Sequence, residues 1–387
     1  MEEGPIYLNN AATSWPKPPG VLAAVQASLS RPFAGEGRGT GGDGVDYPAR
    51  AREALSGFFR GTPVEHLVFS QNATDALNTL IHGILAAEGE PFHVLTTALE
   101  HNSVLRPLSE LAGQERITLE VLPFQGARTD PGVVRDAIRP ETRLAVVTHG
   151  SNVLGSVQDI AAIGRHLREQ GVFLIVDGAQ TAGHVPVDLS LLPVDAFVFT
   201  GHKGLFGIPG TGGFFLKAPE RIAPVRAGGT GTDSASLLHP RGMPERFEIG
   251  TPNYPGLAAL GAGVEFIGSV GIDAIARKAE RQTRFLVREL REEPDVILYH
   301  EDPDLPIIPF NIRGLDCDDV GFILARRHRI IARTGLHCAP LVHRAIDGGK
   351  GCVRLSLSWF TTDEQCRIAA DAVREIARHA DSPVRPP

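Results

Sequence analysis

Lys203 is the residue best placed for covalent chemistry. It closes Thr200-Gly201-His202-Lys203, sits between two glycines, and follows the apolar run Ala196–Phe199. A lysine is ordinarily a solvated charge. Held among glycines at the edge of a buried strand it can be partly desolvated, and a neutral amine is the nucleophile that forms an imine. Upstream, Val176-Asp177-Gly178-Ala179-Gln180 puts a carboxylate at the end of another apolar stretch. Such an acid is usually a cap or a metal ligand. Further upstream, Ser70-Gln71-Asn72-Ala73-Thr74-Asp75-Ala76 reads as a strand end turning into a helix start, where free N–H groups and the Thr74 hydroxyl can hold a phosphate or simply make an N-cap. Taken singly each segment has a plain structural reading. Taken in order, they match what pyridoxal 5'-phosphate (PLP) requires: a phosphate seat, an acid that keeps the ring nitrogen protonated, and an imine-forming lysine.

Two other patterns invite chemistry. Gly37-Arg38-Gly39-Thr40-Gly41-Gly42 satisfies GxGxxG, but it follows Ser30-Arg31-Pro32, and no strand precedes it. A dinucleotide fingerprint must leave a strand and open a helix, so this stretch reads as a loop near the mouth of a site. The four cysteines, Cys317, Cys338, Cys352 and Cys366, are scattered without CxxC pairs or metal-ligand spacing, and no metal is expected. A single cysteine is most often a small buried hydrophobe. His337 is adjacent to Cys338 and therefore points away from it in extended chain, which disfavours a cysteine-protease pair.

The elements that must position these residues follow from periodicity. His93–Ala98, Arg143–Thr148, Val172–Val176, Ala196–Thr200 and Gly213–Lys217 are short apolar runs typical of buried strands. Thr74–Ala86, Ser103–Ala112, Gly132–Ile138 and Ile160–Gln170 have helical spacing between them. The alternation predicts an α/β fold with a mainly parallel sheet covered on both faces, and ligands in such sheets lie beyond the strands' carboxyl ends. After Pro255, helices over Leu257–Ile267 and Ile272–Glu292 precede strands at Ile307–Ile312, Arg329–Arg333 and Val353–Ser358 and a helix over Thr362–His379. We expect a large domain over 15–255, a smaller α+β domain over 256–380 on which the segment 1–14 packs, and a tail at 381–387.

With 42% hydrophobic and 21% charged residues among 387, the composition is that of a globular protein. The net charge of −7, without a lysine/arginine run, opposes nucleic-acid binding. No apolar run approaches the roughly 20 residues of a membrane span. The first residues lack an apolar signal core, and the cysteine pattern suits a reducing compartment, so a cytoplasmic location is expected.

The ordered set of motifs resembles the class V aminotransferase family of fold-type I PLP enzymes. It comprises Asn9-Asn10-Ala11-Ala12-Thr13, the Asn72-Ala73-Thr74 turn, Glu100-His101-Asn102-Ser103, His149–Gly155, Val176–Gln180, Thr200–Lys203 and Gly250-Thr251-Pro252-Asn253. The resemblance implies a seven-stranded, mainly parallel sheet. It also implies that Lys203 carries PLP as a Schiff base, Asp177 pairs with the ring nitrogen, and His101 stacks on the ring. Gln180 would bond the phenolic oxygen, with Asn152 near that oxygen and the substrate carboxylate. Ala73 (through its N–H), Thr74, Thr200 and His202 would hold the phosphate, and Thr251 would arrive from the other subunit of a homodimer. Gly178 stands where an alanine is expected, which reads as the harmless loss of a methyl.

Arg333-Thr334-Gly335-Leu336-His337-Cys338-Ala339-Pro340 further resembles the active-site loop of group II cysteine desulfurases, with Leu336 in place of a second histidine. Gly351-Cys352-Val353-Arg354 resembles the strand whose arginine binds the substrate carboxylate. The resemblance implies that L-cysteine becomes L-alanine while Cys338 takes the sulfur as a persulfide for a thiol or protein acceptor. Arg354 and Arg333 would bind substrate, and His337 and Arg333 are candidate sources of positive charge beside Cys338. Selenocysteine lyase, another class V reaction such as transamination or C–S lysis, a non-catalytic sulfur-relay scaffold and an unrelated nucleotide-binding protein are the alternatives.

Overall fold

A computed structural model describes residues 4–31, 44–89 and 91–379. The glycine-rich stretch 37–42 and the tail 381–387 lie outside the described residues. In chain order the elements begin with β1 (Ile6–Tyr7), α1 (Pro19–Ser30), α2 (Tyr47–Phe59), β2 (Leu67–Ser70), α3 (Ala73–Glu88) and β3 (Phe92–Thr97). They continue with α4 (Asn102–Gly113), β4 (Ile117–Leu122), α5 (Pro131–Ala137), β5 (Thr142–Thr148), α6 (Ile160–Glu169), β6 (Phe173–Asp177), β7 (Ala196–Thr200) and β8 (Gly212–Leu216). The remainder are α7 (Tyr254–Val270), α8 (Ile272–Arg291), β9 (Val296–Leu298), β10 (Ile307–Ile312), α9 (Cys317–Arg327), β11 (Ile330–Ile331), α10 (Pro340–Ile346), β12 (Val353–Ser356) and α11 (Asp363–Arg378).

The central sheet has seven strands in the order β2-β8-β7-β6-β5-β3-β4. Strands β4, β3, β5, β6 and β7 run parallel, while β8 is antiparallel to both β7 and β2. The fold is therefore α/β with a mostly parallel sheet, as the alternation of elements requires. Every residue of β3, β6, β7 and β8 is buried, because helices cover both faces, and this is why those strands read as unbroken apolar runs. Strand β4 departs furthest from that pattern. It is an edge strand, and its polar Thr118 and Glu120 are not buried.

A three-stranded antiparallel sheet, β12-β10-β9, packs with α8, α9 and α11 around a separate core that includes Leu8 from the N-terminal segment. Strand β1 pairs with β11 in parallel. The expected strand 329–333 is regular only at Ile330–Ile331, and Arg333 is joined to Arg354 by an isolated bridge. Helix α7 lies against α1 and α2, and its Leu257, Leu260, Val264 and Ile267 join the core of the large sheet.

Gly178 has a sharper reason than a missing methyl. A Cβ there would sit 2.1 Å from Cζ of Phe197, so the Phe197 ring occupies the volume an alanine would need. The buried ring compensates for the lost methyl and makes the glycine obligatory in this packing.

Candidate active site

Because β3, β5, β6 and β7 are parallel, their carboxyl ends open on one edge of the sheet. The loops after them deliver His101, Asn152, Asp177 and Lys203 to that edge. A cavity of about 330 Å³ forms there, lined by these residues and by Ala73, Thr74, Gln180, Thr200, His202, Arg333, Cys338 and Arg354. Segments separated by more than 260 residues thus converge, from Ala73 to Cys338. Thr251 does not join them. It is exposed and lines a larger cavity of about 790 Å³ that contains neither Lys203, Asp177 nor Cys338. Size does not mark the chemistry here; the smaller cavity holds the titratable and nucleophilic groups.

At one end of the smaller cavity lies the N-terminus of α3. Asn72 caps it, its Oδ1 accepting from Asp75 N–H at 2.9 Å, while the Ala73 and Thr74 N–H groups have no partner within the helix. Opposite them, Thr200 Oγ1 and His202 Nδ1 are buried with no hydrogen-bond partner among the described residues. A dianionic phosphate supplies acceptors for such orphaned donors and meets the positive end of the helix dipole. The residues present therefore fit the phosphate of PLP.

Asp177 ends β6, and its Oδ1 accepts from Ala179 N–H at 2.9 Å. Burial raises its pKa, a shift opposed by that hydrogen bond and by the charge of Lys203. Lys203 is lowered to about 8, chiefly by burial; Asp177 opposes the shift, and Arg354 and Arg333 add to it. An amine with this pKa has a neutral fraction near physiological pH that an ordinary lysine lacks, and the neutral form is what imine formation demands. His101 caps α4, its Nδ1 accepting from Ser103 N–H at 3.0 Å, and burial together with Lys203 lowers it to about 4. It is a neutral ring, suited to lie over another ring. Gln180 donates from Nε2 to the Ala11 carbonyl at 3.0 Å, which fixes the amide and directs its Oε1 away from that anchor.

The cysteine loop is held in an unusual backbone. His337 and Cys338 are consecutive left-handed residues, with φ of 47° and 59°. The Cys338 carbonyl accepts from Asn102 N–H at 2.7 Å, and the His337 carbonyl accepts from Asn152 Nδ2 at 2.7 Å. Arg354, 2% exposed, donates from Nη1 to the Asn152 carbonyl at 2.8 Å, while its Nε is buried without a partner. Burial and the neighbouring Arg333 lower Arg354 to about 10, so it remains a cation. His337 is different: burial and Arg354 push it down to about 2, and it stays neutral. The cations that interact with Cys338 are Lys203 and Arg354, not His337 as its sequence position suggested.

Two other residues, assigned no role from the sequence, support the site. Glu100 is fully buried between Thr97 Oγ1 and Thr148 N–H, which donate to its Oε1 at 2.7 and 2.8 Å. Burial raises it to about 8, with the Asp177 charge adding to the shift. Lys17 donates to the His202 carbonyl at 2.9 Å and so ties the N-terminal segment to the Lys203 loop. Their sequence signal is slight: Glu100 opens the quoted motif Glu100-His101-Asn102-Ser103, and Lys17 follows the Asn9–Thr13 motif by four residues.

Known proteins share this arrangement. The chain is 32% identical over 385 residues to a protein of Methanothermobacter thermautotrophicus named "Probable cysteine desulfurase", covering 96% of this chain and 94% of that one. It is 32% identical over 380 residues to the "Cysteine desulfurase" of Klebsiella pneumoniae, covering 95% and 92%. Among solved structures, a cysteine desulfurase of Escherichia coli in an S-sulfonic acid form superposes with a TM-score of 0.88 at 25% identity, over 98% of this chain and 96% of that one. The enzyme from Thermococcus onnurineus gives 0.87 at 28% identity, over 97% and 95%. A family model described as "Aminotransferase class-V" matches residues 6–368, and over that span the sheet, the Lys203 edge and the Cys338 loop are all included: the chain belongs to the class V aminotransferase family.

Proposed function

We propose that this chain is a PLP-dependent cysteine desulfurase, with Cys338 as the residue that receives the sulfur. The observation that carries the reading is the placement of Cys338 and Arg354 in the same cavity as Lys203 and Asp177. An aminotransferase needs the last two but has no use for a thiol there.

When bound, the cofactor supplies an electron sink for carbanion character at the substrate Cα. The protein's residues do the rest. Ala73, Thr74, Thr200 and His202 hold the phosphate, His101 covers the ring, Gln180 faces the phenolic oxygen, and Asp177 keeps the ring nitrogen protonated. Arg354 engages the substrate carboxylate, with Arg333 and Asn152 beside it. Lys203, neutral for part of the time, removes the Cα proton and returns one to the product. Cys338, as thiolate, attacks the substrate sulfur. The new S–S bond forms as the Cβ–S bond breaks, the three-carbon fragment gains the protons that complete alanine, and the balance is cysteine plus enzyme thiol giving alanine plus enzyme persulfide.

The exposed Thr251 supports a two-fold dimer in which it reaches the phosphate of the neighbouring site. A thiol or a carrier protein then takes the sulfur from Cys338. The separate three-stranded sheet and its core, which takes Leu8 from the N-terminal segment, support a second domain, but α7 gives its buried residues to the core of the large sheet, so the division falls after α7 and not at 255/256. Four free cysteines suit the reducing cytoplasm. The test is to incubate purified protein with L-cysteine and measure alanine and protein-bound persulfide together. Alanine in step with persulfide on Cys338 is expected; pyruvate or transaminated product without persulfide refutes the assignment.

A further inference from the structure

Behind the Cys338 loop lies a cluster that the reaction above does not use. His337, His343 and Cys352 each offer a ligand atom, and the three atoms lie within 4.8 Å of one another. The residues are 4%, 0% and 0% exposed. They come from separate places: the left-handed turn before Cys338, helix α10, and the residue before β12. Around them Leu99, Val153, Leu154, Ala339 and Val342 form an apolar shell with Cys352.

The histidines share one arrangement. His343 Nδ1 meets Asp347 Oδ2 at 2.6 Å, and His337 Nε2 meets the Cys352 carbonyl at 3.0 Å. Their other ring nitrogens, His343 Nε2 and His337 Nδ1, are buried with no hydrogen-bond partner among the described residues. A buried polar atom without a partner is destabilising, and two in one apolar shell call for something to pair with. One ring nitrogen tied to a carboxylate, the other left free, is the arrangement of a metal-binding histidine, and His343 has it. Asp347 is itself fixed, since its Oδ1 accepts from Gly349 and Lys350 N–H at 2.9 and 3.0 Å. The Cys352 sulfur lies 3.6 Å from His337 Nε2, the same nitrogen that meets the Cys352 carbonyl, so an ion would replace that hydrogen bond or the ring would turn to present Nδ1.

We propose that His337, His343 and Cys352 bind one Zn²⁺ per chain. Two nitrogens and a sulfur suit this borderline-soft cation, and oxygen-seeking cations such as Mg²⁺ or Ca²⁺ find no oxygen ligand in the set. Charge also closes: the dication is matched by a Cys352 thiolate and by the Asp347 carboxylate behind His343. Binding releases the Cys352 proton to solvent. Three protein ligands leave the fourth tetrahedral position open. Because His337 immediately precedes Cys338, the ion would pin the turn that carries the persulfide cysteine.

The test uses the PLP-loaded protein without substrate, so its failure leaves the desulfurase reading standing. After chelator treatment, Zn²⁺ is titrated in competition with a chromophoric chelator, and Co²⁺ is substituted to read a thiolate charge-transfer band. One equivalent per chain and a raised Tm are expected. Cys352→Ser and His343→Ala should abolish uptake, and Asp347→Asn should weaken it about 10- to 100-fold. Cys338→Ala should leave uptake and the Co²⁺ band intact. The cofactor absorbance of each variant reports that it is folded. Should Cys352→Ser lose its fold, Asp347→Asn still decides the matter. No uptake by the wild type overturns the proposal. So does uptake that survives Cys352→Ser but is lost in Cys338→Ala, which would put the ion in the substrate cavity.

Discussion

Replacing Arg354 by lysine separates charge from geometry at the substrate carboxylate. Arg354 is buried, its Nη1 is committed to the Asn152 carbonyl at 2.8 Å, and its Nη2 is 3.5 Å from Asn9 Oδ1. The unpartnered Nε and the remaining guanidinium protons form an edge that can take both carboxylate oxygens. A lysine keeps the positive charge, but its single ammonium cannot serve the Asn152 carbonyl and two carboxylate oxygens at once. One charge-assisted hydrogen bond is therefore lost, worth about 1.5–3 kcal/mol. At about 1.4 kcal/mol per tenfold, KM for L-cysteine should rise roughly 10- to 150-fold. The carboxylate is bound alike before and during proton transfer, so kcat should fall much less. Alanine release in steady state measures both, and the cofactor absorbance confirms that the site is assembled. Arg333, exposed at the cavity edge, contributes charge in a screened position, and Arg333→Lys should change KM by less than about fivefold. A larger effect at Arg333 than at Arg354, or an unchanged KM in Arg354→Lys, would refute the assignment of the carboxylate to Arg354.

The other predictions probe different groups. Cys338→Ala should keep the cofactor and its spectral response to L-cysteine while losing almost all alanine and persulfide formation; full alanine release would remove Cys338 from the mechanism. Lys203, lowered to about 8, should make cofactor rebinding to apoenzyme speed up as pH rises through about 8 and then level off. The band near ~420 nm reports this, and a rate still climbing through the ordinary lysine range would contradict it. Gly178→Ala should destabilise the fold by about 1–3 kcal/mol through the clash with Phe197, measured by thermal unfolding. Phe197→Leu in the same chain should recover part of that loss, and simple additivity of the two would show that the ring is not the cause.

What was legible in the sequence follows from burial. Strands β3, β6 and β7 have no solvent face, so they stand out as apolar runs, and the residues just beyond them are where an α/β sheet must place its ligand. Edge strand β4 was missed by a search for unbroken apolar runs, because Thr118 and Glu120 alternate with its apolar residues, the period of a strand with one open face. The regular part of β11 is only two residues long, matching its two-residue partner β1, and Arg333 bridges instead to Arg354. Asp177 and Lys203 could be named because each follows an apolar strand within an ordered set of motifs, although either type alone at a strand end is ordinary. The protonation of His337 could not, because it depends first on burial and then on Arg354, a neighbour in space that arrives 17 positions later. The Phe197–Gly178 contact was hidden for the same reason: a neighbouring strand delivers the ring.

The two halves of the proposed chemistry sit on different frameworks, and this explains why Asn152 stands where it does. Lys203 and Asp177 are fixed by the large sheet, whose strands cannot shift without breaking their ladders. Cys338 and Arg354 belong to the segment between α9 and α11, built on the smaller sheet. Asn152, on the loop after β5, joins the frameworks twice: its side chain donates to the His337 carbonyl and its own carbonyl accepts from Arg354. The Asn102 N–H adds a third tie, to the Cys338 carbonyl. All three bonds reach groups next to the reacting atoms and leave the reacting atoms free. The thiol and the guanidinium edge are thus held in register with the lysine by their backbone and their far ends. Sulfur transfer requires this, since Cys338 must meet a substrate whose position is set by Arg354 on one side and by the Lys203 edge on the other.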